Sequence, residues 1–100
     1  MRDLKGKVAW ITGAGSGMGR AAAVSLAAAG MQIVLSGRRA DRLSEVASEV
    51  SAAGHEAMIA PLDVTDADAV KSVVSDIESR FNQVDVLINS AGINVKKRFW

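Results

Sequence analysis

Four glycines stand at alternate positions, 13, 15, 17 and 19, between a short apolar run and an alanine-rich segment, and this stretch limits the folds open to the chain. Val8 to Ile11 are apolar on consecutive positions, as in a strand covered on both faces, which predicts a strand over Lys7–Thr12. Met18–Ala29 reads as a helix whose alanines permit close approach to a sheet. Gly30 stands where a left-handed residue would stop it. A strand, a glycine turn and a helix in succession offer backbone N–H groups and the positive end of a helix dipole to a phosphate. The turn is therefore the expected functional centre.

The same alternation continues along the chain, which argues for βαβ units around a parallel sheet. Gln32–Ser36 reads as the second strand. The helix expected over Ala40–Ala53 carries Leu43, Val46, Ala47 and Val50 on one stripe, and Gly54 ends it. Glu56–Asp63 is the expected third strand, with Pro61 marking an irregular end. Thr65-Asp66-Ala67-Asp68 has the form of a capping box. The helix expected over Asp66–Phe81 then places Val70, Val73, Val74, Ile77 and Phe81 on one face. Val84–Asn89 is the fourth strand. The expected architecture is α/β, a doubly wound parallel sheet in the order 3-2-1-4, with only the third helix crossing to the second face. In that order Val84–Asn89 is an uncovered apolar edge, so association into a homo-oligomer is expected.

One hundred residues allow a single domain, 1–100. Twelve Lys and Arg against eleven Asp and Glu give a formal charge of +1, too weak a field to suggest nucleic acid or an anionic membrane as partner. The charged N-terminus lacks a secretory apolar region, and the Ala21–Ala29 stretch is too short to span a membrane, so a cytoplasmic location is expected. With no cysteine and one histidine, His55, the chain offers no thiolate or multi-histidine metal site.

A mononucleotide phosphate loop requires a lysine after its last glycine, whereas Arg20 follows Gly19, and that reading fails. The dinucleotide pattern Gly-x-Gly-x-x-Gly/Ala fits Gly17, Gly19 and Ala22, a weak signal alone because glycines this dense fit several registers. Its context is more specific. Thr12-Gly13-Ala14-Gly15-Ser16-Gly17-Met18-Gly19 resembles the Thr-Gly-x-x-x-Gly-x-Gly motif of the short-chain dehydrogenase/reductase family. Asp63-Val64 resembles that family's Asp-Val pair after the third strand, and Asn89-Ser90-Ala91-Gly92 its Asn-Asn-Ala-Gly motif after the fourth, with Ser90 departing from the usual asparagine. The three motifs follow in the family's order across essentially the whole chain.

The resemblance implies a Rossmann-type fold, incomplete relative to the family's, and a dinucleotide site. In that site Gly13, Gly17 and Gly19 would line the pyrophosphate turn, Gly15 and Met18 would also contact the cofactor, and the Ser16 hydroxyl would serve a ribose 2′-phosphate. Asp63 would bond the adenine amino group and Val64 border the ring. Asn89, Ala91 and Gly92 would lie beneath the cofactor. The plainer alternatives are an ordinary strand-end turn at Asp63, a turn residue at Ser16 and a sheet-end role for Asn89.

An NAD site usually has an acidic residue at the end of the second strand, about 20 residues past the glycine turn. Here Gly37 takes that place and Arg38 and Arg39 follow it, an arrangement that in the family goes with NADP; NAD is the alternative. Losing a carboxylate there removes repulsion of the 2′-phosphate, and an arginine adds a charge-assisted hydrogen bond. Otherwise the two arginines are a solvated pair opening the second helix, with Asp41 as partner to either.

The family's acid/base chemistry uses a Tyr-x-x-x-Lys motif and a serine, all downstream of the matched motifs. This chain contains no tyrosine, so no catalytic residue is assigned, and with no cysteine and one histidine no metal ligand is assigned either. The expected function is the NADP(H)-binding part of an oxidoreductase that transfers hydride between a nicotinamide cofactor and a carbonyl or secondary alcohol. A small-molecule substrate is expected only with the downstream half. The alternative is a non-catalytic dinucleotide-binding module or a truncated remnant.

Overall fold

The computed structural model describes residues 4–89 and 95–96. Strand β1 (Val8–Thr12) lies at the middle of the sheet and is buried along its whole length, as its unbroken apolar run requires. It pairs in parallel with β2 (Gln32–Ser36) on one side and β4 (Val86–Asn89) on the other. Beyond β2 lies β3 (Ala57–Ile59), also parallel. The three connecting helices are α1 (Gly17–Ala28), α2 (Ala40–Ala52) and α3 (Ala67–Phe81).

Side chains alternate along each strand, so each face of the sheet acquires its own core. On one face Ala9, Ile11, Ile33 and Leu35 pack with Ala23 and Ala27 of α1 and Leu43, Val46 and Val50 of α2. On the other, Val8, Trp10 and Val34 meet Val73 and Ile77 of α3. Trp10 carries a polar atom into this second core, and its indole N–H donates to Ser36 Oγ at 2.8 Å, which satisfies it. Among the described helices only α3 covers that face, as the doubly wound reading expected. Gly30 and Gly54 follow α1 and α2 with φ of +92° and +90°, the left-handed stops that the sequence predicts.

Three expectations need correction. First, β4 is not an open edge, because β5 (Val95–Lys96) pairs with it antiparallel and gives the order β3-β2-β1-β4-β5. Second, the third strand is shorter than Glu56–Asp63. The Ala60 and Leu62 N–H groups still donate to Leu35 and Gly37 carbonyls at 2.8 Å, and the alternation points position 61 away from β2. A proline there costs no ladder bond but leaves an irregular extension instead of a strand. Third, the cap of α3 is Asp66, whose carboxylate accepts from the Ala69 N–H at 3.1 Å. Thr65 is drawn away from that role because its own N–H and hydroxyl both donate to Asp63.

Candidate functional site

The glycine turn joins the end of β1 to α1 above the α1/α2 face. Gly13 has φ of +67°, a conformation that costs a residue with a Cβ about 1–2 kcal/mol. The Ser16 N–H closes the turn onto the Gly13 carbonyl at 3.1 Å, and the Ala14 N–H ties it to the Ser36 carbonyl of β2 at 3.0 Å. Ser16 is the N-cap of α1, with its Oγ accepting from the Gly19 N–H at 3.1 Å, and the cap starts the helix one residue earlier than expected. Gly17 opens α1, and a Cβ there would meet nothing within 4 Å. Met18 beside it is 78% exposed, whereas Gly19 is buried.

Next to this turn is a cavity of about 260 Å³ lined by Gly13, Gly15, Ser16, Gly37, Arg38, Arg39, Arg42 and Leu43. Its walls come from the glycine turn, the end of β2 and the first turn of α2. Close approach of these segments depends on Gly15, where an added Cβ would lie 2.8 Å from Arg42 Cβ. Five residues singled out from the sequence, Gly13, Gly15, Ser16, Arg38 and Arg39, thus meet in one place. Arg42 was not singled out. Its only local signal is a spacing of three from Arg39, which puts both residues at one helix end.

The start of α2 departs from ordinary helix chemistry. Its N-cap is Arg39, which makes no side-chain capping bond, and its only first-turn acid is Asp41. Helix N-termini favour negative charge, and α1 and α3 are capped by Ser16 and Asp66. Here Arg39 pairs with Asp41 at 3.2 Å. A helix start without a side-chain cap bond, and arginines around a cavity, suit an anion such as a phosphate.

The remaining sequence-predicted residues stand outside this cavity. Asp63 follows the β3 extension, and its Oδ1 accepts from Thr65 Oγ1 at 2.7 Å and from the Thr65 N–H at 2.9 Å. The Thr65 hydroxyl bond and then its N–H bond hold the carboxyl below the ordinary 3.8 against an opposing desolvation, with the Arg38 charge the smallest contribution. Val64 is 47% exposed beside it. At the end of β4, Asn89 Oδ1 accepts from Thr12 Oγ1 at 3.1 Å, which joins the β1 and β4 ends. Ala91 and Gly92, with Ser90, lie outside the described residues. All the described candidates therefore gather at the carboxyl ends of the parallel strands, where open α/β sheets bind ligands. No group of three or more potential metal ligands occurs among the described residues, and no described helix is long and apolar enough to cross a membrane.

A family model described as short chain dehydrogenase matches residues 7–99. A short chain dehydrogenase of Pseudocercospora fijiensis is 40% identical over 91 residues, covering 91% of this chain and 29% of that protein. Sulfoacetaldehyde reductase 2 of Chromohalobacter salexigens is 47% identical over 85 residues, covering 83% of this chain and 32% of that protein. The chain thus spans about a third of the length of these curated relatives. Among solved structures, a metagenomic short-chain oxidoreductase in complex with NADP superposes with a TM-score of 0.86 at 36% identity, over 92% of this chain and 42% of that one. A short chain dehydrogenase/reductase from Burkholderia phymatum in complex with NAD gives 0.81 at 37% identity, over 87% of this chain and 31% of that one.

Proposed function

The chain belongs to the short-chain dehydrogenase family, and from that premise we propose that it binds a nicotinamide dinucleotide, NADP in preference to NAD, as the cofactor-binding part of an oxidoreductase. The observation that carries the reading is the cavity between the glycine turn and α2, with Arg38, Arg39 and Arg42 in its wall and no acidic residue among its lining. A carboxylate at the end of β2 would repel a 2′-phosphate, but Gly37 stands there and arginines follow.

In this reading the backbone of Gly13, Gly15, Gly17 and Gly19 and the start of α1 receive the pyrophosphate, and the open space over Gly17 leaves room for it. Met18 lies at the same helix start. The Ser16 hydroxyl, fixed by its cap bond, stands at the cavity wall beside the arginines. Asp63 is kept ionised as an acceptor for the adenine amino group, and the exposed Val64 offers the ring an apolar surface. Asn89, Ala91 and Gly92 belong to the same site in the family motif. The bound dinucleotide supplies a hydride, exchanged with a carbonyl or secondary alcohol. This chain's residues bind and orient the cofactor, and none of them is assigned an acid/base role.

The test compares NADPH and NADH binding to the protein and to Arg38→Ala by fluorescence titration. A charge-assisted hydrogen bond of about 1.5–3 kcal/mol, discounted for exposure, makes a roughly tenfold loss of NADPH preference the expected result. Unchanged discrimination would overturn the assignment of Arg38.

A further inference from the structure

We infer that Trp10 and Ser36 are positioning residues for the glycine turn, their buried hydrogen bond on the α3 face fixing the backbone carbonyl that holds the turn on the other face. The inference rests on the dinucleotide reading above and concerns the turn common to NADP and NAD sites, not the choice between them. Thr12 and Ser36 are the last residues paired between β1 and β2. Beyond them the two segments part, β1 into the glycine turn and β2 toward α2. Local opening costs least at the ends of elements, so this junction needs something to hold it. There the Ser36 carbonyl accepts from the Ala14 N–H at 3.0 Å, and Ala14 follows Gly13, whose φ of +67° sets the course of the turn. A Cβ on Gly37 would lie 3.9 Å from the Ala14 nitrogen, so the end of β2 and the turn lie close together. The orientation of Ser36 therefore bears on where the turn's N–H groups stand.

The side chain of Ser36 is held from the opposite direction. Ser36 comes two residues after Val34, so strand alternation sends its hydroxyl to the α3 face, where Trp10 and Val34 lie. The Trp10 indole N–H donates to Ser36 Oγ at 2.8 Å, with the two residues 2% and 0% exposed. The rest of that core is apolar, with Val8, Leu62, Val73 and Ile77 among its members, and an all-apolar pair would serve it without a polar atom. A hydrogen bond in such dry surroundings is directional and penalises any arrangement that breaks it, so the pair specifies one position for Ser36. Ser36 is thus fixed by Trp10 on one face and holds Ala14, itself fully buried, on the other. One residue couples the α3 core to the site.

The experiment titrates the protein, Ser36→Ala, Trp10→Phe and the double variant with NADPH and with NADH, measures the urea stability of each, and follows exchange of the Ala14 N–H by NMR. Each single variant deprives a buried polar atom of its partner and should lower stability, whereas the double variant removes both partners and should recover part of the loss. Affinity should not recover with it. All three variants are expected to bind NADPH and NADH roughly three- to tenfold more weakly, by the same factor for both cofactors. In all three the Ala14 N–H should exchange about tenfold faster relative to amides in the middle of α2 such as Val46, a local opening distinct from global unfolding. Affinity that follows stability, returning in the double variant, overturns the inference, and so does unchanged exchange at Ala14. A loss confined to NADPH would place the effect at the 2′-phosphate and overturn it as well. If the wild-type protein binds neither cofactor, the dinucleotide reading falls and the inference falls with it.

Discussion

The two faces of the sheet are packed by different means. On the α1/α2 face, two helices close over Ala9, Ile11, Ile33 and Leu35, and Ala23, Ala27, Leu43 and Val50 are fully enclosed. On the α3 face, one helix reaches across the strands; Ile77 is enclosed, but Val73 and Val84 stay 8% exposed and Met58, Leu87 and Phe81 are only half-buried. The cavity and the glycine turn lie over the first face. A ligand site needs walls that hold their places, and the face with the denser core is the one that supports them.

The largest expected effect tests that contrast directly. Leu43 is fully buried and also lines the cavity, so Leu43→Ala should destabilise the fold by about 2–5 kcal/mol in urea unfolding and weaken dinucleotide binding. Val73→Ala, at the rim of the opposite core, should cost roughly 1–2 kcal/mol and leave the cavity in place. Equal losses from the two substitutions would remove the distinction between the faces.

A smaller effect sharpens it. Ser16 and Asp66 each cap a helix, α1 over one face and α3 over the other. Replacing either by alanine should cost about 1 kcal/mol of stability. Only Ser16→Ala should also weaken NADPH binding, since only Ser16 stands in the cavity wall.

The smallest effect is a titration. Asp63 has a folded-state pKa below 3.8, held there first by the Thr65 hydroxyl and then by the Thr65 N–H. Its contribution is therefore fully present above the unfolded value and is lost as pH falls through the lower folded one. In Thr65→Val, where the hydroxyl bond is gone, NMR titration should show the Asp63 pKa rising toward 3.8; an unmoved value would contradict the assigned cause.

Much of this was legible because it is local. Helical stripes such as Leu43, Val46 and Val50, and the unbroken apolar run of β1, mark their elements within a few residues. The glycine turn and the arginine pair were likewise visible in the sequence, and the structure brings them to one cavity. What escaped depends on partners distant in sequence. Pairing of Val95–Lys96 with β4 is set across an intervening segment, and the length of β3 is set by which of its N–H groups face β2. Thr65 and Asp66 are both good caps, and the choice between them fell to Asp63, which engages Thr65. Arg42 was not singled out in the sequence, and its packing against Gly15, 27 positions away, is what brings it to the cavity wall.

The buried indole of Trp10 gives the molecule an optical reporter of its own. It is bonded to Ser36, and the next residue, Gly37, lines the cavity. With no tyrosine in the sequence to contribute, intrinsic emission comes from Trp10 and Trp100 alone, and replacing Trp100 by phenylalanine isolates the buried one. Its emission maximum then follows the dryness of the α3 face during unfolding, and on the dinucleotide reading proposed above, energy passed from it to added NADPH would follow binding, so a single chromophore would read both folding and occupancy.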